Sequence, residues 1–362
     1  MVIVMKRTRR SPKGAARLAR MAAIASALTM SLSAHAAQEL PRTAPLAAQD
    51  LRLARIGYRI AVQNADRCPS PDRLTGLLLH DRAAYDARDR ALVGTRFGLG
   101  EGFGIRDVVE GGAADRAGLR RGDEIVALNG DAMALFEPGM IGPKASYART
   151  EAFESLLDQA LQRGPATLLL RRDGSLRTAH LAADTGCGGR WVVLPERAFN
   201  AWSDGNYVAV TTRLMTDIED DSELAFVIAH EMSHNILRHQ EQLRGRSALL
   251  AQFGIGAARV KDTEIEADTL AVGLLARAGY DLGAPARFLM YAARKRPFDV
   301  PITHPGLKRR IGIVTAAIAR LQAYPPRARA STPSAAAIDG QQGRTKGMTQ
   351  LAASPAPTKP VD

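Results

Sequence analysis

Apolar positions along this chain change their spacing several times, and the changes mark its parts. Leu51, Leu53, Ile56, Ile60 and Val62 predict a helix over Leu51 to Asn64, after a short Pro- and Ala-rich linker from Arg42 to Ala48. Gly104 to Val109 is strand-like, Tyr147 to Leu161 is helical, and Ala166 to Leu181 reads as a hairpin turning at Asp173-Gly174. An apolar, helix-periodic run follows from Ser222 to Arg238. A second helix opens at Thr263, where Thr263 and Glu266 form a capping-box signature, and continues through Leu275. From Pro325 to Asp362 the chain is Ala, Pro, Ser, Thr, Gly and Gln with almost no large apolar residues, a composition expected to stay disordered. There is no internal repeat.

The Ser222–Arg238 run carries His230-Glu231-Met232-Ser233-His234. One helical turn is about 3.6 residues, so His230 and His234 project from the same face and can share one metal ion. Glu231 lies beside the first histidine and can take a proton from a water without being a ligand. Ion, water and proton acceptor are the parts that a zinc peptidase needs. Leu224 to Ala229 is apolar throughout, which predicts a buried helix. Unpartnered polar groups on such a helix are costly, so the histidines call for a partner.

His239 is a poor third ligand on a straight helix. Five residues turn it about 140° away from His234, and it sits about 13–14 Å along the axis from His230. It is expected to be solvated near the helix end. Glu264 is the better candidate. Glu264 and Asp268 share one face of the second helix; the first can ligate zinc, and the second can accept a hydrogen bond from a ligating histidine and fix its tautomer. Glu266 is accounted for by the preference for acids in a first turn.

With these residues in view, the chain resembles the gluzincin metalloendopeptidases of the HtpX, BepA, Oma and CAAX-prenyl-endopeptidase group. The resemblance is carried by Glu223 to His234, Glu264-x-Glu266-Ala267-Asp268, Thr303-His304-Pro305 with Arg310-Ile311, and Phe199 to Val210, which is similar to the edge strand before the zinc helix. It covers roughly Arg190 to Leu321 and a helix near Leu51 to Asn64. It implies an α-helical zincin-type body with a small sheet, with His230, His234 and Glu264 holding one Zn2+ per chain, Glu231 as general base and Asp268 behind a ligand. It also implies that His304 returns toward the site, to serve a developing oxyanion or the open metal position. Arg310 is expected to pair with an acid of the body. Only 29 residues separate His234 from Glu264, fewer than in many relatives.

The region from Leu92 to Asp184 resembles a PDZ domain, a β-rich partial barrel with helices. Ala117-Gly118-Leu119, Gly122-Asp123-Glu124-Ile125 and Asn129-Gly130 carry that likeness. Such a domain takes an extended peptide as an added strand and holds its terminal carboxylate in a backbone nest. Phe97, Gly98 and Leu99 resemble that carboxylate loop, glycine freeing the amides to converge on an anion.

Seven basic residues and no acid precede a short apolar core, Met21 to Leu32, and Ala34-His35-Ala36 is a small-x-small cleavage site. This reads as a signal peptide directing export, to the periplasm for a bacterial protein. Its removal leaves 42 basic against 37 acidic residues, a net of +5 rather than +12. That balance, without an aromatic-interleaved basic patch, argues against a nucleic-acid partner. No uninterrupted apolar stretch of about 20 residues follows the signal, so no transmembrane span is expected. The two cysteines, Cys68 and Cys187, bracket the insertion, and in an oxidising compartment they are disulfide candidates.

The expected organisation is α+β: a signal peptide (1–36), a linker and helix packing on the body (37–91), a PDZ domain (92–184), a metalloprotease domain (185–324) and a tail (325–362). The expected activity is zinc-dependent hydrolysis of peptide bonds in misfolded or unassembled envelope proteins, with the PDZ domain recruiting C-termini and the substrate lying as a strand against Asn206 to Thr211. The competing readings are a peptide-binding or chaperone-like PDZ protein with a latent zinc site, and a metalloenzyme acting on a non-protein amide.

Overall fold

The computed structural model describes residues 43–243, 257–295 and 306–323. The expected signal peptide and tail lie outside the described residues. In chain order the helices are α1 (Thr43–Gln63), α2 (Arg90–Phe97), α3 (Ala113–Arg116), α4 (Ala148–Arg163), α5 (Thr212–Asp217), α6 (Asp221–Ile236), α7 (His239–Leu243), α8 (Ala257–Ala278), α9 (Ala284–Lys295) and α10 (Leu307–Ala323). The strands are β1 (Pro71–Leu74), β2 (Leu77–His80), β3 (Phe103–Val108), β4 (Glu124–Leu128), β5 (Asp131–Ala132), β6 (Ala166–Arg172), β7 (Ser175–Leu181), β8 (Asp184–Cys187), β9 (Arg190–Leu194), β10 (Ala201–Ser203) and β11 (Tyr207–Thr211).

One core joins the two ends of the chain. Leu53, Ile56 and Ile60 of α1 pack with Val208 and Val210 of β11, with Leu224, Phe226 and Ile228 of α6, with Leu274 and Leu275 of α8, and with Val314 of α10. The helical body is therefore built from segments on both sides of the insertion. α1 begins at Thr43, so the Pro- and Ala-rich stretch expected as a linker is helical. Alanine favours helix, and Pro45 falls in the first turn, where no backbone N–H is needed. α1 also passes close to β9: a Cβ at Gly57 would lie 2.3 Å from the Trp191 indole, so only glycine permits the approach. The body sheet has strand order β10-β11-β9, with β10 antiparallel and β9 parallel to β11.

The insertion forms its own sheet, in the order β2-β3-β4-β6-β7, with β5 paired to β4. The sheet reaches outside the expected 92–184 span, because its first strand is Leu77–His80. Phe103 and Phe153 stack at 4.1 Å between centroids in its core. Arg149 is buried there beside the buried Asp81 at 2.8 Å. Its Nε and Nη2 atoms donate to the carbonyls of Phe136, Glu101 and Met133. A buried cation paired with a carboxylate and hydrogen-bonded at each of its three nitrogens is the condition under which such a group is tolerated.

The two stems of the insertion pair as β1 and β8, Pro71 opposite Cys187. Cys68 and Cys187 form a disulfide beside that pairing, with Cα atoms 5.3 Å apart. Two residues of α1 reach the insertion. Asp50 accepts from Val193 N and pairs with Arg106 at 2.8 Å. The Tyr58 hydroxyl donates to Asp184 and accepts from Ala113 N. A second seam joins α4 to the body sheet. The Tyr207 hydroxyl donates to Glu151 at 2.7 Å, and Arg190 lies 3.5 Å from Glu154 and 3.6 Å from Asp158.

Loss of the disulfide, by reductant or as Cys68→Ser/Cys187→Ser, is expected to lower the thermal unfolding midpoint. The chain-entropy model sets a ceiling of about 4–5 kcal/mol for a loop this long. An unchanged wild-type midpoint in reductant would refute a stabilising bond. The α4 seam is expected to respond to pH. Burial, with the charges of Asp158 and Glu151 adding and Arg190 opposing, pushes Glu154 from 4.5 up to about 7. The folded state then holds a proton that the unfolded chain has lost. This stabilisation is present below about pH 4.5 and is lost as pH rises through about 7. A third of the Glu154 side chain is exposed, so solvent screens the effect. Glu154→Gln should flatten the fall in melting temperature between those pH values; parallel curves for variant and wild type would rule it out.

Candidate metal centre

The centre is built on α6. Asp220 caps its start by accepting from Ser222 N at 2.7 Å, and Asp221 and Glu223 lie in the first turn, where acids suit the helix dipole. Leu224 to Ala229 are buried one after another, so every side of the helix meets protein. At its C-terminal half this burial leaves His230, His234 and Glu231 facing α8 and the body sheet.

His230 Nε2 lies 3.2 Å from His234 Nε2. Glu264 on α8 places one carboxylate oxygen 3.4 Å from His230 Nε2 and the other 3.4 Å from His234 Nε2. The three residues offer ligand atoms that all lie within 4.8 Å of one another. Tetrahedral ligands at zinc distances of about 2.0–2.1 Å stand about 3.3–3.4 Å apart, so the donor set fits such an ion in spacing and in chemistry.

Behind His230, its Nδ1 lies 3.0 Å from Asp268 Oδ1. Asp268 is fully buried and is gripped by Arg310 of α10 through both oxygens, at 2.6 and 2.8 Å. Burial alone would raise the Asp268 carboxyl, but Arg310 and His230 outweigh it and hold the group below its ordinary value. Glu231 shows the opposite balance. Burial raises it, with His230 lowering and Glu264 adding, and Ser203 of β10 hydrogen-bonds the carboxylate.

The strand beside the centre differs from expectation. Asn206 to Thr211 lies largely in β11, which is flanked by β10 and β9 and has no open edge. Among the described residues the edge strand next to α6 is β10, Ala201–Ser203. Asn235 of α6 accepts from Gly205 N and donates to Tyr207 O, and Gln240 of α7 donates to Ser203 O, so the β10–β11 hairpin is tied to α6 and to the helix after it. A cleft of about 870 Å³ runs from the disulfide past α4 and Tyr207 to His234.

Two expectations about helices are corrected. α8 starts at Ala257, six residues before Thr263. The Thr263 hydroxyl donates to Val260 O within the helix instead of capping it. His239 is not solvated: it is 1% exposed. The straight-helix extrapolation fails because α6 stops at Ile236 and Arg238 takes φ +54, which turns the chain back. His239 Nδ1 then lies 2.9 Å from His234 Nδ1, and its Nε2 lies 3.1 Å from Glu266 Oε2. No spacing rule in the sequence signalled that contact. His304 lies outside the described residues.

The expected carboxylate loop of the insertion is also corrected. Phe97 ends α2, and the N–H groups of Gly98 and Leu99 both point back to Gly94 O as the helix closes. They do not form an open nest. The outer strand of that sheet is β2, entered through Gly76 at φ +74.

Comparison with known proteins agrees with this geometry. Residues 177–261 match Peptidase family M48, and residues 104–133 match the PDZ domain. A protein of Vibrio cholerae serotype O1 named as a beta-barrel assembly-enhancing protease is 29% identical over 171 aligned residues. That alignment covers 37% of this chain and 35% of the relative, so the chain spans about a third of the relative's length. Among the described residues no helix is long and apolar enough to cross a membrane. The segment that matches Peptidase family M48 carries His230, Glu231 and His234 of α6, the segment that matches the PDZ domain lies in the insertion, and the chain is thus similar to metallopeptidases of family M48 and to PDZ domains.

Proposed function

We propose that the chain is a zinc-dependent endopeptidase of the bacterial cell envelope. His230, His234 and Glu264 would hold the ion, with Asp268 and Arg310 fixing His230. The donor triad beside Glu231 is the observation that carries this reading. When bound, zinc polarises the scissile carbonyl and makes a water more acidic. Glu231, beside the donor set and hydrogen-bonded to Ser203, would take a proton from the attacking water and return it to the leaving amine. The substrate backbone adds to the open edge at Ala201–Ser203, which sets the scissile bond beside α6.

The PDZ insertion favours polypeptide substrates offered through an exposed end, and the cleft from α4 to His234 gives such a chain a path to the centre. Unassembled or misfolded envelope proteins fit this arrangement. The signal-like N-terminus and the beta-barrel assembly-enhancing relative support a periplasmic setting.

Casein cleavage by the purified chain is expected to disappear with a chelator and to return with zinc. Glu231→Gln is expected to keep zinc and lose about 10²–10⁴-fold in turnover, because an amide cannot accept the proton. Wild-type turnover in that variant would overturn the mechanism. Glu264→Ala is expected to lower bound zinc sharply by elemental analysis, and undiminished zinc content would remove Glu264 from the ligand set.

A further inference from the structure

The contact between His239 and His234 brings a third imidazole against the donor set. His239 is buried to 1% exposure, lies against the outer nitrogen of His234, and ends on a carboxylate of α8. We propose that His239 and Glu266 form a relay that positions His234 and fixes which of its nitrogens faces the metal, so that His239 is a positioning residue of the centre. The inference rests on the reading of His234 as a ligand.

The argument is one of proton placement on neutral rings. His234 Nε2 faces His230 Nε2 at 3.2 Å and Glu264 at 3.4 Å, so the lone pair must sit on Nε2 for this nitrogen to ligate. A neutral imidazole then carries its hydrogen on Nδ1. That N–H points to His239 Nδ1 at 2.9 Å, which must accept and therefore carries no hydrogen. The hydrogen of His239 is left on Nε2, where Glu266 Oε2 accepts it at 3.1 Å. An ionised carboxylate accepts and cannot donate, so it sets the direction of both bonds. Each histidine of the pair is thus backed by a carboxylate of α8: His230 directly by Asp268, and His234 through an intervening ring by Glu266.

The two supports are unequal. Asp268 is fully buried and held by Arg310, whereas the Glu266 side chain is 57% exposed. A solvated carboxylate anchors less firmly, because water competes for it. The ring of His239 should therefore matter more than the charge at its far end. The backbone supports the same reading. Arg238 adopts φ +54, a conformation that non-glycine residues rarely take, and it occurs where the chain must reverse to bring His239 under His234.

The test measures zinc affinity of the full chain by competition with a chromophoric chelator, alongside thermal unfolding of the metal-free protein. Changes behind a metal-ligating histidine typically cost about 10–100-fold in affinity, and His239→Leu is expected to fall in that range. His239→Asn places an amide oxygen near the Nδ1 position and is expected to recover most of the affinity at a similar metal-free melting temperature. A side chain that served only packing would not show that rescue. Glu266→Ala is expected to lose only several-fold. His234→Ala separates the two readings. If it binds zinc like wild type, the ligand assignment has failed. If it loses zinc while His239→Leu keeps wild-type affinity, the ligand assignment stands and the relay is overturned. Should His239→Leu not fold, unchanged affinity in Glu266→Ala overturns the relay.

Discussion

Burying imidazoles and carboxylates inside a helical core is the constraint that organises this molecule. α6 is enclosed on every side along Leu224 to Ala229, and the same enclosure continues to His230. Polar groups taken from water at this depth need partners or they cost several kcal/mol each. α8 answers with Glu264 and Asp268, α10 with Arg310, and the reversed chain after α6 with His239. The elements of the body follow from that need: α8 must run alongside α6, and α10 must close over α8.

The second constraint is the attachment of the insertion. A domain hung on two strands would turn freely about its stems. Here the disulfide, the β1–β8 pair, Asp50 and Tyr58 of α1, and the Arg190–Tyr207 contact with α4 hold it at several separated points. α1 serves both sides, since one face fills the body core while Asp50 and Tyr58 reach the insertion. The cleft that ends at His234 is a consequence of this fixed placement.

The site and its supports were unequally legible in the sequence. His230, Glu231 and His234 could be read because helical spacing is local, and one turn fixes their relation. Glu264 and Asp268 could be proposed as a pair for the same reason, on a second helix. Arg310 could be given an acidic partner but not a particular one. His239 is not legible in this way, since a helix end depends on how the chain turns, and a left-handed Arg238 leaves no mark in composition. The start of α8 was misplaced because Thr263 and Glu266 satisfy a capping pattern that the preceding helical residues override.

The sequence by itself determined the periodicities, and with them the α+β class, the hairpin at Asp173-Gly174 and the two helices that carry the candidate metal ligands. These are short-range properties, fixed by backbone geometry within a few residues. Only the tertiary structure decided which edge of the body sheet is open, that Phe97 to Leu99 closes a helix, that Leu77–His80 belongs to the inserted sheet, and that His239 meets His234. Each of those outcomes depends on which backbone groups find partners far away in the chain, and no local pattern encodes that choice.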